Sequence, residues 1–243
     1  MPDELPIENP DERIIHALEQ TRVFRHPRQK LATFGVTTLK YFVLTEPVYT
    51  ELRPPADPET VIREGTVVAD RPAIVTPSYM LNLEGFGDEA RRSLELLARR
   101  LGAQSPGVMY KYKNESGGLN IVSGGVDVVA GRIAEDLQKT GKDMAAIIIG
   151  DSALWDVSVM KFIYEFTASS LASNLQELHG RGLLDPDPGA GVPRGAVQRI
   201  EEMFQAAERG TADPTTLKRE LDRWGLFDRY QDRFLGLFRG RRL

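Results

Sequence analysis

Ala145-Ala146-Ile147-Ile148-Ile149-Gly150-Asp151-Ser152 is the stretch on which the fold turns. An apolar run rich in β-branched residues stops at a glycine, which fits a buried strand, although periodicity alone does not separate so short a run from a helix. Before it, short β-branched and aromatic segments alternate with turns. After it, apolar residues recur at helical spacing almost to the end. That change of register predicts an α+β chain: a mixed, mainly antiparallel sheet with flanking helices, followed by an all-helical C-terminal subdomain.

Upstream of the run, Pro10 fits the first turn of a helix whose apolar stripe is Ile14, Ile15 and Leu18. From Leu31 to Leu44 the side chains alternate, with a turn or bulge at Gly35 to Thr38. Leu39, Tyr41 and Val43 take one face and Lys40, Phe42 and Leu44 the other, so the strand is expected to be central. Thr60–Ile62 and Thr66–Ala69 flank Arg63-Glu64-Gly65 as a hairpin candidate. Pro72 and Pro77 limit residues 73–76 to an edge or a short extended piece. A helix is expected over 88–101, with Ala90, Leu94, Leu97 and Leu101 on one face. Strand residues Val108 to Lys113, a turn over Asn114 to Gly118 and a return over Leu119 to Val122 read as a second hairpin, and Val126 to Gln138 as a helix.

Downstream, Leu154, Val157, Phe162, Ile163 and Phe166 fit one long helix, which Leu171, Leu175 and Leu178 extend or follow. Three further apolar stripes follow: Ala196, Ile200, Met203, Phe204 and Ala207; Leu217, Leu221 and Trp224; and Phe227, Tyr230, Phe234 and Phe238. The expected organisation is a disordered leader over 1–9, an α+β body over 10–184, a proline- and glycine-rich linker over 185–192 and a helical subdomain over 193–243.

Composition narrows the chemistry. The 243 residues contain no cysteine, which removes disulfides, thiolate metal sites and thiol nucleophiles together. The histidines His16, His26 and His179 share no metal-binding spacing, so no metal or other cofactor is expected. No apolar run is long enough to cross a bilayer, and the acidic, proline-bearing start is unlike a secretory signal. A cytoplasmic location without membrane contact is the expectation. A formal charge of −4 gives no general attraction to nucleic acid.

Several groupings carry possible chemistry. Asp151, Ser152 and Asp156 follow the buried strand, at the end of a sheet where sites are often placed. The string Gly150-Asp151-Ser152-Ala153-Leu154 is similar to the first block of the GDS-type esterases and lipases, and the resemblance implies that Ser152 is a nucleophile. It covers five residues and departs from the family at Ala153, and the family's later asparagine and Asp-x-x-His blocks have no match after residue 150. Against it stands the simpler role of Asp151 or Ser152 as a helix cap. Ser123-Gly124-Gly125 before a helix offers backbone N–H groups to an anion, although a tight strand-to-helix turn needs glycine anyway. Arg22, Arg25, Arg28 and Lys30, with Tyr110, Lys111, Tyr112 and Lys113, mix basic and aromatic groups as nucleic-acid sites do. The same tyrosines on a strand fill a core while the lysines meet water.

The last helices carry Trp224, Phe227, Tyr230, Phe234 and Phe238 among arginines, Arg233 included, the residue types enriched at interface hot spots. The reading that follows is a non-catalytic interaction or self-assembly protein acting through these helices, with a protein partner or a second copy. The alternatives are binding of RNA or single-stranded nucleic acid through the basic-aromatic segments, and a small-molecule enzyme with its site near the 123–125 and 150–156 turns.

Overall fold

The computed structural model describes residues 10–48, 57–82, 92, 95–96, 98–100 and 102–239. The expected leader over 1–9 and all the named apolar positions of the expected 88–101 helix lie outside them. The chain divides into two compact units, residues 1–71 with 111–174 and residues 72–110 with 175–243.

The first unit is built on a five-stranded sheet. Helix α1 (Pro10–Gln20) leads into β1 (Arg22–Arg25), and β2 (Thr37–Thr45) and β3 (Glu59–Ala69) follow. Later come β6 (Tyr112–Ser123), α3 (Val126–Lys139), β7 (Ala145–Ile149) and the start of α4 (Trp155–Gly180). The strand order is β1-β7-β2-β3-β6, and only the β2/β7 pair is parallel. The sheet is therefore mixed and mostly antiparallel, as the sequence pattern requires.

Both central strands are apolar on both sides because both sides are covered. Phe42, Leu44, Ile62, Ala145 and Ile147 pack against Val129, Ala130 and Leu137 of α3. On the opposite face α4 lies against the sheet, where Tyr112 Oη and Thr167 Oγ1 share a hydrogen bond and the Arg63 guanidinium lies over the Trp155 ring. Ala145, Ala146, Ile147 and Ile148 are completely buried, as are Tyr41, Val43 and Leu44. At about 25 cal/mol per Å² of apolar surface, such residues supply most of what opposes chain entropy in this unit.

Both expected hairpin turns lie inside long strands instead, and Val108 and Met109, expected in the second hairpin, belong to a separate two-stranded sheet. β3 runs unbroken through Arg63-Glu64-Gly65, and β6 through Asn114 to Gly118. The glycines there serve close approach rather than reversal. A Cβ at Gly65 would lie 2.2 Å from Tyr41 Oη, and one at Gly117 would lie 2.9 Å from the Glu64 carbonyl oxygen. The β3/β6 register slips between Arg63 and Gly65, a bulge that takes up the extra β6 residue. Two smaller corrections belong here. Residues 31–36 are not strand, since β2 starts at Thr37, and α1 buries Ala17 while Ile14 and Ile15 stay exposed.

In the second unit β4 (Ala73–Val75) pairs antiparallel with β5 (Gly107–Met109). Helices α2 (Pro77–Leu81), α5 (Arg194–Glu208), α6 (Pro214–Trp224) and α7 (Phe227–Arg239) surround a core of Val75, Tyr79, Ile200, Phe204, Leu221 and Trp224. The C-terminal region α5–α7 is all helical. Its boundaries are specified locally. Asp213 accepts the Thr215 N–H at the start of α6, with Pro214 in the first turn, and Gly225 ends that helix at φ +65°. Residues 185–192 form a tied loop: Asp187 N donates to Val192 O at 2.7 Å, and Asp187 Oδ1 accepts from Gly189 N and Ala190 N.

Glycine 65 provides a direct check on the sheet. Gly65→Ala is expected to destabilise the chain by about 1–3 kcal/mol, because the Tyr41 ring has no room to move in a filled core. Gly131→Ala, on α3 with open space around the added atom, is expected to stabilise it by about 0.5–1 kcal/mol. Urea denaturation midpoints at unchanged slope read both effects, and equal effects at the two positions would refute the packing account.

Candidate functional site

Because β2 and β7 run parallel, their carboxyl ends emerge together, at the position where open sheets gather functional groups. The Gly150 N–H donates to Leu44 O at 3.2 Å. Beneath Gly150 lies a buried hydroxyl pair, Thr21 Oγ1 and Ser158 Oγ, 2.7 Å apart. A Cβ at residue 150 would come within 2.1 Å of Ser158 Oγ, so glycine is required by space. The next residue, Asp151, accepts the Leu154 N–H on Oδ1 at 2.6 Å. These contacts fix the loop from both ends and set the direction of Ser152.

Ser152 Oγ accepts a hydrogen bond from Thr45 Oγ1 at 3.3 Å, and Thr45 Oγ1 accepts one from Arg63 Nη1 at 3.1 Å. The Arg63 guanidinium carbon lies 5.8 Å from the Trp155 ring centroid, within cation–π range. Burial alone pulls the Arg63 guanidinium below its ordinary value, with no neighbouring carboxylate among the described residues to restore it. The cluster is thus a cation and two hydroxyls at one end of the sheet. Only Ser152 was legible beforehand, since Arg63 reads as a turn residue and Thr45 as the end of a strand.

The nucleophile reading of Ser152 requires a base, and its hydroxyl is bonded to Thr45 instead. Asp151 Oδ1 holds the loop before α4 by accepting the Leu154 N–H, and Asp156 Oδ1 accepts its own neighbour's Val157 N–H at 3.0 Å. Among the described residues no three histidine or acidic side chains gather as a metal site would need.

Ser123-Gly124-Gly125 lies at the same end of the sheet, but β2 and β3 stand between it and Ser152. Gly124, at φ +123°, donates its N–H to Pro58 O at 2.7 Å, and its carbonyl accepts from Thr60 Oγ1. Its conformation and its N–H both serve the turn.

The basic stretch is largely engaged within the first unit. Arg22 pairs with Asp127, Arg25 donates to Ala145 O at 2.6 Å and Lys142 O at 3.0 Å, and Arg28 pairs with Asp143 at 3.3 Å. Lys30 and Lys111 are exposed, and Lys113 pairs with Glu115 at 2.7 Å. Burial pushes the Tyr112 phenol above its ordinary value, against the opposing effect of its bond to Thr167. Tyr110 belongs to the second unit. The two segments expected to form a nucleic-acid surface therefore present few uncommitted cations among the described residues.

Of the residues named for an interface, Trp224 and Phe234 are buried in the core of the second unit, and Phe227 and Tyr230 pack against it. Trp224 meets Tyr79 at a ring separation of 4.6 Å, and Phe204 meets Tyr230 at 5.4 Å. Arg233 reaches Glu201 at 2.5 Å and Glu208 at 3.2 Å while lying over the Phe204 ring. Phe238 alone of these rings is half exposed, at 50%.

The hydrogen bond from Leu154 N to Asp151 predicts that Asp151→Ala costs about 0.5–1.5 kcal/mol in thermal or urea unfolding, while Asp151→Asn, which keeps an acceptor, costs much less. A catalytic carboxylate would show the opposite pattern, a small stability change in both variants. Comparison with known proteins finds no matching family model, no matching curated protein and no matching solved structure.

Proposed function

We propose that this protein works by association with a second copy of itself, through the edge strand β6. The observation that carries the reading is the state of that strand. β6 is 12 residues long, ends the sheet, and is exposed at nearly every position on both faces. An edge of that length offers a row of backbone donors and acceptors to another strand. It also holds Leu119 and Ile121 in solvent, 58% and 52% exposed, on the face that carries α4. On α4 itself, Met160 and Tyr164 point outward, 65% and 76% exposed. Apolar side chains collected on one side of a sheet mark interaction surfaces.

The bulge argues for a second copy rather than an unrelated strand. It shifts the alternation of β6 at residues 117 and 118, so that Tyr112, Asn114, Ser116, Leu119 and Ile121 share one face. An antiparallel pair centred between Gly117 and Gly118 then brings like faces together along the whole strand: Ser116 opposite Leu119 of the other copy, and Asn114 opposite Ile121. Isologous pairing of this kind closes after two chains.

A second association surface is supported by α7, where Phe238 and Leu235 remain exposed beside the filled core. Light scattering on the full chain is expected to give twice the chain mass at roughly 100 μM, a concentration at which micromolar affinity saturates. Leu119→Lys with Ile121→Lys is expected to return the mass to that of one chain with the circular dichroism spectrum unchanged. A wild-type chain that stays monomeric sinks the association reading. Dissociation by Phe238→Asp and not by the strand variant moves the contact to α7.

A further inference from the structure

The cluster at the carboxyl ends of β2 and β7 has a direction. Arg63 Nη1 donates to Thr45 Oγ1, and Thr45 Oγ1 donates to Ser152 Oγ. Each hydroxyl that accepts a hydrogen bond is free to pass its own proton onward, so the chain of donors runs from the guanidinium to Ser152 and ends on the Ser152 O–H. No acceptor for that proton is found among the described residues. The guanidinium likewise has no carboxylate partner among them, although a partly buried arginine ordinarily has one. Thr45, at the centre, is 1% exposed.

The Arg63–Thr45–Ser152 chain thus ends on a free donor and begins on a positive charge, while the Asp151 carboxylate beside it is turned to the Leu154 N–H through Oδ1. The groups are also held in place in advance of any ligand. Gly150 is pinned over Thr21 and Ser158, Asp151 ties the loop to Leu154, and Arg63 sits within a strand paired on both sides. The Arg63 guanidinium carbon lies 5.8 Å from the Trp155 ring centroid, and Arg63 and Ser152 both remain partly exposed.

We infer that Arg63, Thr45 and Ser152 form a binding site for a small-molecule oxyanion, a phosphate or a carboxylate group, at the carboxyl ends of the parallel strand pair. The guanidinium edge supplies two N–H donors in the fork that matches such a group, and Ser152 Oγ supplies a third donor. Binding involves no bond making, since no side chain among the described residues accepts the Ser152 proton.

The test is a titration of the full chain with inorganic phosphate, and in a second arm with acetate, at constant ionic strength set by chloride. Nitrogen-15 NMR follows the Trp155 indole N–H and the Arg63 Nε–H. Saturable shifts of both signals are expected, and the anion that acts at the lower concentration names the ligand chemistry. Arg63→Gln is expected to weaken binding by at least about tenfold, the worth of one charge-assisted hydrogen bond. Ser152→Ala, which leaves the core untouched, is expected to weaken it by roughly threefold to tenfold. The inference is overturned if neither anion shifts these signals beyond the chloride control, or if Ser152→Ala and Arg63→Gln bind as the wild type does.

Discussion

The parallel pairing of β7 with β2 is the contact on which the first unit depends. It places a short strand, Ala145 to Ile149, between β1 and β2, and its four leading residues are fully buried. A strand so placed must be apolar on both faces, which is why no polar residue interrupts it. The pairing also obliges the chain to cross over. α3 covers one face on the way from β6 to β7, and α4 covers the other on leaving. The layers, the crossover and the position of the Ser152 loop all follow from that one arrangement.

Polar groups at the edge of this apolar structure are placed by the same constraint. The carboxyl ends of β2 and β7 cannot continue into the core, so Thr45 and the Gly150–Ser152 loop meet there, and Arg63 reaches them from the adjacent strand. In the second unit the arginines and rings of α5–α7 serve one another. Arg233 lies between Glu201, Glu208 and the Phe204 ring, and Tyr79, Trp224 and Phe234 fill the space between the helices. Side-chain types that mark interfaces are thus also the types that complete a small helical core.

What the sequence made legible was whatever its periodicity encodes. The α+β class, the two-sided apolar character of β2, the buried strand at 145–149 and the stripes of α5, α6 and α7 all follow from spacing. The two false hairpins show where spacing stops being informative. Gly65 and Gly117 look like turn residues because glycine commonly is one, whereas here the missing Cβ makes room for Tyr41 and for the Glu64 backbone. That distinction depends on a neighbour far away in the chain, which a single sequence does not specify. Arg63 was hidden by the same error, since a residue assigned to a turn is expected to face water. Ser152 was visible, but the partner that defines its chemistry, Thr45, lies 107 positions away.

The late position of β7 has a consequence for synthesis. β2, β3 and β6 are all made before it, and can assemble while the side of β2 that will receive Ala145 to Ile149 is still bare. On a ribosome the nascent chain therefore passes through a stage in which a strand apolar on both faces lacks its neighbour. Completion of the sheet waits for a segment that must thread between β1 and β2, and the vulnerability of this protein to misassembly is concentrated in that interval.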